Sequence, residues 1–259
     1  LTVKSEPQAW AGKLNGLVLP TGSVRLEKFD GKVSDLEGFA QGEWWVQDVG
    51  ASLPVRLLGD IRGKRVADLC AAPGGKTAAM ALAGAQVTAV ELSASRLKRL
   101  ESNLARLKLT AGTFAGNLLD FKPDELFDVI LLDAPCSSTG TVRRHPDVVW
   151  TKTPDDIAKL AELQLKLLRH AATLVKPGGT LLFSNCSLDP LEGEELAQKY
   201  LDGGPGYSAV PVEPAELPGL EHLISPQGYL RTTPADLDLG RPEMSGMDGF
   251  FAARFRRAE

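Results

Sequence analysis

Apolar positions from Arg65 onward fall into short, almost continuous runs that are separated by longer amphipathic stretches. Runs of this kind are typical of parallel strands that are covered on both faces. They predict strands at residues 66–70, 87–92, 129–134 and 180–186, a weaker strand at residues 113–117 and a last strand at residues 249–256. The stretches between them have helical spacing and predict helices at residues 77–83, 93–109 and 154–175. The alternation predicts an α/β fold with a largely parallel sheet and helices on its faces.

Two of these helices have recognisable end signals. Ser93 is placed to cap the second helix, and Thr153 is followed by proline and two aspartates, a pattern that is typical of a helix start. The Lys-Pro-Gly-Gly sequence at residues 176–179 is expected to end the third helix.

The regions outside the alternating pattern have a different character. Residues 1–60 contain short strand candidates at residues 24–26 and 44–47, glycine turns, and no helical repeat before residues 48–58. We therefore predict a small N-terminal appendage at residues 1–45, the remnant of a larger region, and one main domain at residues 46–259. Residues 201–247 hold seven prolines and seven glycines, which predicts mostly loop.

Composition narrows the class of protein. The 259 residues are 43% hydrophobic and 24% charged, which is typical of a soluble globular chain. No apolar run reaches the roughly 18 residues that a membrane-spanning helix needs, so we expect no membrane partner. Three cysteines do not make a disulfide framework, which indicates a reducing compartment and a cytoplasmic location. Because the chain begins with Leu1, we expect a fragment or a processed product.

Charge is distributed unevenly. The formal net charge is −4, yet residues 61–110 hold nine basic and three acidic residues, whereas residues 111–150 hold three and six. An acidic chain can still bind a polyanion, because only the surface that meets phosphate must be positive. The alternative is an ordinary solvated helix face.

Each cysteine falls at or just beyond the end of a predicted parallel strand. Cys70, Cys136 and Cys186 should therefore lie at the carboxyl edge of the sheet, where ligands bind in open α/β folds. One such cysteine is commonly a small buried hydrophobe. Three at the same edge favour a site, and we expect all three in one cleft.

The first strand runs into a glycine turn and a helix start, an arrangement that is typical of a site for a nucleotide-like ligand. The Gly75-Lys76-Thr77 sequence resembles the end of a P-loop, but Cys70 stands where that motif needs glycine, and no Gly-x-Gly-x-x-Gly is present. Glu91 ends the second strand and could hold a ribose, or it could complement the dipole of the next helix. A nucleoside cofactor without a pyrophosphate loop favours S-adenosylmethionine.

Two further strand ends carry polar sequences. Asp133 opens the first, which continues through Cys136 to Arg143 and Arg144. The two arginines are either phosphate ligands or an exposed loop. Cys186 lies in the second, and the acids that follow it are interpreted as the start of a helix; they are Glu192, Glu194 and Glu195.

Together these segments resemble the Nop/Sun family of RNA cytosine-5 methyltransferases, most of all its bacterial Sun (Fmu) branch. Residues 68–77 resemble the family's cofactor loop, and residues 133–147 and 185–187 resemble its two cysteine motifs. Residues 42–52 and 247–254 resemble the segments that open and close the methyltransferase domain. The resemblance implies a Rossmann-like methyltransferase sheet of about seven strands, the last antiparallel, and an appendage left from an RNA-binding region.

The resemblance also implies roles for individual residues. Cys186 would be the nucleophile, Cys136 the helper that releases product, and Asp133 the bridge between cofactor and base. Glu91 would hold the ribose of S-adenosylmethionine and Asn117 would lie beside its adenine. The methionine part would lie in the loop formed by Cys70, Ala71, Ala72, Pro73, Gly74, Gly75 and Lys76. No metal is implied, and we expect a monomer whose partner is 16S rRNA, with tRNA as the alternative.

Three positions depart from the family pattern. Asn117 and Asn185 replace the usual Asp and Thr, and Gly193 replaces the usual Asn. A non-catalytic RNA-binding or ribosome-assembly factor with the same fold is therefore a second hypothesis, and a P-loop hydrolase is a third. Both cysteines and Lys76 are present, which favours the enzyme.

Cysteine suits the implied reaction because carbon 5 of cytosine is a poor nucleophile. A thiolate that adds to carbon 6 makes carbon 5 reactive, so one difficult step becomes two easier ones. A free thiol is mostly protonated at neutral pH, and the nearby Asp133 would raise the thiol pKa further. The sequence does not reveal which group offsets that effect.

Overall fold

The alternating strands and helices build a mostly parallel sheet in the computed structural model, which describes residues 1–27, 29–203 and 206–259. The strands are β1 (Thr2–Val3), β2 (Gly16–Val18), β3 (Val24–Leu26), β4 (Trp44–Trp45), β5 (Arg65–Leu69), β6 (Gln86–Glu91), β7 (Gly112–Ala115), β8 (Phe127–Asp133), β9 (Val175–Asn185), β10 (Tyr207–Ala209), β11 (Leu230–Arg231) and β12 (Phe251–Arg257). The helices are α1 (Pro7–Lys13), α2 (Val49–Arg56), α3 (Gly75–Leu82), α4 (Ala94–Leu107), α5 (Pro154–Thr173) and α6 (Glu194–Gly203).

The main sheet has the order β10-β12-β9-β8-β5-β6-β7, and the short β11 pairs with β12. Strands β5 to β9 pair in parallel, and β12 is antiparallel to β9. The predicted fold class is therefore confirmed, including the antiparallel last strand.

Strand β8 shows why the apolar runs are nearly continuous. Its Ile130 and Leu132 pack into one core cluster with Leu168 of α5, whereas Leu131 packs into another with Leu53 of α2. Successive side chains of a strand point to opposite faces, and helices cover both faces here. The central positions of a strand that is covered on both faces are therefore apolar without alternation, as at residues 129–132.

The predicted helix starts are confirmed. The Ser93 side chain accepts a hydrogen bond from the Arg96 amide, and Thr153 forms a reciprocal capping box with Asp156. The end of α5 was predicted wrongly: the helix ends at Thr173, and residues 176–179 lie inside β9. Because Val175 pairs with Phe127 and Thr180 with Val129, an irregularity in the ladder absorbs the Pro-Gly-Gly sequence.

Residues 1–45 have a small core of their own. Trp10, Ala11, Val24 and Trp44 are buried together, and β1 pairs with β4 beside the β2–β3 hairpin. The division at residue 45 stays a prediction.

Residues 201–247 are predicted to be mostly loop; residues 201–203 instead end α6, and residues 206–247 are largely irregular apart from the short β10 and β11. Residues 204 and 205 of that stretch lie outside the described residues. Among the described helices, none has both the length and the apolar character that crossing a membrane requires.

Candidate active site

A cavity of about 710 Å³ opens at the carboxyl edge of the main sheet. Its wall includes the glycine turn before α3, the segment that leads into α2, and part of the N-terminal region. The expected site residues that line it are Ala71, Ala72, Pro73, Gly74, Gly75, Lys76, Asp133, Arg143, Arg144 and Cys186. The structure therefore brings most of the expected site into one space.

The glycine turn bends sharply to deliver Lys76 to the cavity. Gly74 has a φ of 100°, and a Cβ added there would lie 2.8 Å from Leu100 Cγ on α4. Only glycine fits this conformation and this close approach without strain. Below the turn, the hydroxyl of Thr77 donates a hydrogen bond to buried Asp68, which fixes the first turn of α3 on β5.

Asp133 at the end of β8 is held on both sides. Lys76 Nζ donates to its Oδ2 at 2.7 Å, and the Ser184 hydroxyl donates to its Oδ1 at 2.9 Å. Lys76 also lies 4.9 Å from the centre of the Phe250 ring. The carboxylate keeps 29% of its side-chain surface exposed, so a ligand in the cavity can reach it.

Cys136 and Cys186 meet at this edge, because β8 and β9 are neighbouring parallel strands. Their sulfur atoms are 3.5 Å apart. The hydrogen bond from the Cys136 thiol lowers the pKa of Cys186, and a hydrogen bond from Ser138 and the charge of Lys76 act in the same direction against burial and Asp133. Donating that bond raises the pKa of Cys136, as do burial and the charge of Glu192. Cys186 is therefore the thiol that ionises first.

The expectation of three cysteines in one cleft is wrong, because neither Cys136 nor Cys70 lines the cavity that Cys186 faces. Cys136 still contacts Cys186, but Cys70 is directed elsewhere. Its backbone has a φ of 65°, and its side chain packs against the core cluster that contains Leu69 rather than lining the cavity. Burial raises its pKa to about 12, with the charges of Asp133 and Glu91 adding to the effect. Cys70 is the small buried hydrophobe that was the alternative interpretation.

Glu91, at the end of β6, lies beside the turn, whereas Asn117 follows β7; neither lines the cavity. The Glu91 carboxylate is 2% exposed and accepts hydrogen bonds from the amides of Ala72 and Ser93, so it supports the turn from below. Arg96 forms an ion pair with it. Asn117 is exposed and accepts a hydrogen bond from the Leu119 amide.

Arg143 and Arg144 are bound to acids rather than free in a loop. Arg143 forms an ion pair with Asp48 at 2.9 Å, and Arg144 binds fully buried Asp248 through two nitrogens. The predicted role in phosphate binding must therefore share these side chains with a structural role. Arg106, another basic residue that lines the cavity, is also structural, since it donates to the carbonyls of Phe39 and Trp44.

Sequence reasoning missed a buried polar cluster behind the cysteines. Glu192 was interpreted as a helix N-terminal acid, but it ends a 3-10 turn before α6 and is completely buried. It accepts hydrogen bonds from Ser137 and Gln164. Only Gly193 separates it from Glu194 and Glu195, and this acidic run fits a helix start, so no local signal distinguished the two roles. Glu194 and Glu195 do open α6.

Two departures from the family pattern have a structural account in this region. Asn185 Nδ2 donates to the Glu192 carbonyl at 2.6 Å, so it belongs to the buried cluster. A Cβ at Gly193 would lie 2.3 Å from Arg231 Nη2, which shows that the Arg231 guanidinium covers this position. Arg231 in turn forms an ion pair with Glu194.

Known structures share this architecture. A methyltransferase homologue protein from Pyrococcus horikoshii has a TM-score of 0.78 at 26% identity, over 99% of this chain and 85% of that one. NSun6 from the same organism, solved with SFG, has a TM-score of 0.72 at 24% identity over 88% of this chain and 57% of that one, a likeness that supports the fold alone.

Two bacterial sequence relatives carry the same name. Ribosomal RNA small subunit methyltransferase B of Vibrio cholerae is 40% identical over 85% of this chain and 48% of its own length. The protein of the same name from Cronobacter sakazakii is 41% identical over 78% of this chain and 48% of its own length. The chain spans about half the length of these curated relatives. The model of the 16S rRNA methyltransferase RsmB/F family matches residues 56–256. With most of its length matched, the chain belongs to the RsmB/F family of methyltransferases, and the resemblance found in its sequence is confirmed.

Proposed function

We propose that this chain is the catalytic part of an RNA (cytosine-5)-methyltransferase that modifies a cytidine of 16S rRNA with S-adenosylmethionine. The observation that carries the proposal is the pair of sulfur atoms 3.5 Å apart, in which Cys186 faces a cavity that it shares with Asp133 and Lys76. The family match and the names of the relatives support the 16S rRNA substrate. We expect a monomer in the cytoplasm.

The residues of the cavity fit the cofactor. S-adenosylmethionine supplies a methyl group on a positively charged sulfur. The cavity volume of about 710 Å³ lies within the range of roughly 300–1,000 Å³ that is usual for ligand sites. The acids Asp68 and Asp133 line it, and a Cβ at Gly75 would project to within 3.3 Å of Gln47 Nε2, so the glycine keeps this wall open.

The residues that line the cavity indicate how the cofactor would be held. Residues 71–76 would hold the methionine part, because their backbone lines the cavity. Cys70 and Glu91 would act from behind the turn, and we expect the ribose near Glu91 and the adenine towards Asn117.

The proposed reaction begins at Cys186. Its thiolate forms a bond to carbon 6 of cytosine, and the electron pair of the ring double bond moves so that carbon 5 becomes nucleophilic. With S-adenosylmethionine bound, carbon 5 would take the methyl group, and the electron pair of the broken methyl–sulfur bond would stay on the cofactor's sulfur, which loses its positive charge. Asp133 hydrogen-bonds the edge of the base. Once Cys186 is bonded to carbon 6, it no longer holds the hydrogen bond from Cys136, so Cys136 can ionise and its thiolate takes the proton from carbon 5, directly or through a water. The electron pair of that carbon–hydrogen bond re-forms the ring double bond. The bond between carbon 6 and sulfur breaks, and its electron pair returns to Cys186.

RNA must present an unpaired base to this pocket, so a single-stranded or loop segment is the expected substrate. Arg143 and Arg144 remain candidates for phosphate contacts, with 36% and 47% of their side chains exposed at the cavity. Trp150 is 88% exposed in the same loop and offers an aromatic face to a flanking base. We expect the RNA affinity of this chain to be weak and to fall steeply with salt.

The proposal is tested by two measurements on the purified chain. Calorimetry should detect binding of S-adenosylmethionine and not of ATP, whereas the reverse would support a P-loop hydrolase. Methyl transfer should then be measured on 16S rRNA and on tRNA, with bisulfite mapping of the product. Methylation of tRNA alone would change the substrate, and cofactor binding without transfer to any RNA would favour the non-catalytic factor.

A further inference from the structure

A buried carboxylate lies behind the segment that follows β8 and contains Cys136, which we call the first cysteine loop. Glu192 is completely buried, and its carboxylate accepts the Ser137 amide at 3.0 Å, the Ser137 hydroxyl, and Gln164 Nε2 at 2.6 Å. Ser137 directly follows Cys136, and Gln164 belongs to α5. The carboxylate therefore fixes the backbone next to Cys136 against a rigid helix.

The same cluster of polar side chains also contacts the segment that follows β9 and contains Cys186, which we call the second cysteine loop. Asn185 Nδ2 donates to the Glu192 carbonyl at 2.6 Å, and Asn185 Oδ1 accepts a hydrogen bond from the Ser187 amide at 2.9 Å. The hydroxyls of Ser137 and Ser187 are 3.0 Å apart. Asn185 Nδ2 also lies 3.3 Å from Gln164 Oε1. The Glu192 carboxylate therefore reaches the second loop through two of its own donors, Ser137 and Gln164, whereas the bond from Asn185 to the Glu192 carbonyl is a backbone contact.

We propose that Glu192 is a positioning residue, whose buried carboxylate holds the two cysteine loops together so that the Cys136 thiol donates its hydrogen bond to Cys186. The inference rests on the proposed function, because it assigns to Glu192 the task of preparing Cys186 for attack. Nothing in its contacts brings Glu192 to substrate, so it acts through the loops.

Burying the Glu192 carboxylate away from water costs free energy of folding. Among the residues that the structure describes, none forms an ion pair with Glu192, so only hydrogen bonds compensate for its burial. A carboxylate accepts all three donors at once, whereas a glutamine would turn an NH₂ group towards one of them. The negative charge also raises the pKa of Cys136, which keeps that thiol protonated as the donor.

Other charged groups also shift the pKa values of these two thiols. Cys186 is influenced by Asp133, Lys76 and Arg144 as well as by Cys136. Cys136 is influenced by Cys186 and Glu192. Because Glu192 acts on one thiol by charge and on the other through the hydrogen bond, its removal should move the two titrations in opposite directions.

The test compares Glu192→Gln with the matched control Glu195→Gln, an exposed acid three residues further along. Each cysteine of the full chain is alkylated with iodoacetamide across a range of pH and quantified by peptide mass spectrometry. In Glu192→Gln the midpoint of Cys186 should rise and that of Cys136 should fall, whereas the control should match the parent chain. Methyl transfer should fall roughly tenfold to a hundredfold, as expected for a displaced reacting group, with cofactor affinity unchanged.

Unchanged midpoints in folded Glu192→Gln would overturn the proposal. If that variant does not fold, Ser137→Ala removes one donor to the same carboxylate and should move both midpoints in the same directions by less; unchanged midpoints there would also overturn it. Alkylation needs no RNA, so a parent chain that fails to methylate RNA contradicts the proposed function without altering the result for Glu192.

Discussion

The two cysteine loops occupy equivalent places in the fold but face different surroundings. Both follow neighbouring parallel strands, β8 and β9, at the same edge of the sheet. Cys186 lines the cavity with Lys76 and Asp133, whereas Cys136 lies behind it, next to the cluster around Glu192. Position in the sheet brings the sulfur atoms together, but the groups behind each loop decide which thiol ionises first.

The largest expected effect comes from removing either sulfur. Cys186→Ala should abolish methyl transfer, because no other thiol can add to carbon 6 of the base. Cys136→Ala should permit at most one methyl transfer for each enzyme molecule, because addition and transfer remain possible but release does not. A single-turnover assay with methyl-labelled cofactor measures both. Both variants should stay folded, since each deletes little packed volume. Sustained turnover by Cys186→Ala would exclude it as the nucleophile.

Of the two thiols, the charge of Lys76 should act chiefly on Cys186. Lys76→Met leaves Asp133 without its cation and removes a charge that lowers the pKa of Cys186, so alkylation of Cys186 should require higher pH. We expect a stability loss of roughly 1–3 kcal/mol in urea unfolding. Lys98→Met, on the exposed face of α4, is the control. An equal shift at Cys136 would show that the two thiols do not have separate environments.

Arg144 should matter chiefly to the first loop, which it anchors to the start of β12. Arg144→Ala removes the two-nitrogen contact to buried Asp248 and leaves that carboxylate with the longer ion pair to Arg143 at 3.6 Å. The fold should lose about 1–2 kcal/mol of stability, a modest value because Arg144 is half exposed. Thermal unfolding measures this, with exposed Arg99→Ala as the control. Lower RNA affinity with no loss of stability would instead support a role in phosphate binding alone.

The smallest expected effect is a pH dependence from Asp68 beneath the glycine turn. Burial raises its pKa to about 7 from its ordinary value of 3.8. As pH rises, the Asp68 carboxyl group loses its proton at lower pH in the unfolded chain than in the folded protein. The free energy of unfolding should therefore fall as pH rises from about 4 to about 7. Asp68→Asn should lack that fall in thermal unfolding, whereas exposed Asp124→Asn should keep it. Identical pH profiles for parent and Asp68→Asn would contradict the raised pKa.

The sequence predicted the sheet and the meeting of Cys136 with Cys186 because both depend on local patterns. Apolar runs mark buried strands, and parallel strands end at one edge. The ion pairs and hydrogen bonds of the charged side chains could not be predicted from such local patterns. Arg143 and Arg144 reach acids that are 95 and 104 positions away in the chain, and Glu192 depends on Gln164, 28 positions away. No periodicity links such residues, so they looked like exposed loop and helix-start residues.

The backbone conformation at the end of each strand could not be predicted from the sequence pattern either. A strand-end cysteine looks the same whether its side chain points into the cleft, as at Cys186, or into the core, as at Cys70. The left-handed conformation of Cys70 turns its side chain onto the core, and that conformation is a property of the turn as a whole.

The central claim, that Cys186 attacks and Cys136 releases, is tested most directly by trapping the covalent complex. Each cysteine-to-alanine variant is incubated with S-adenosylmethionine and 16S rRNA, and the products are separated on a denaturing gel. Cys136→Ala should accumulate a slower protein–RNA band, and Cys186→Ala should give none. A band from Cys186→Ala and none from Cys136→Ala would contradict the account, because Cys136, beside Asp133, would then be the nucleophile.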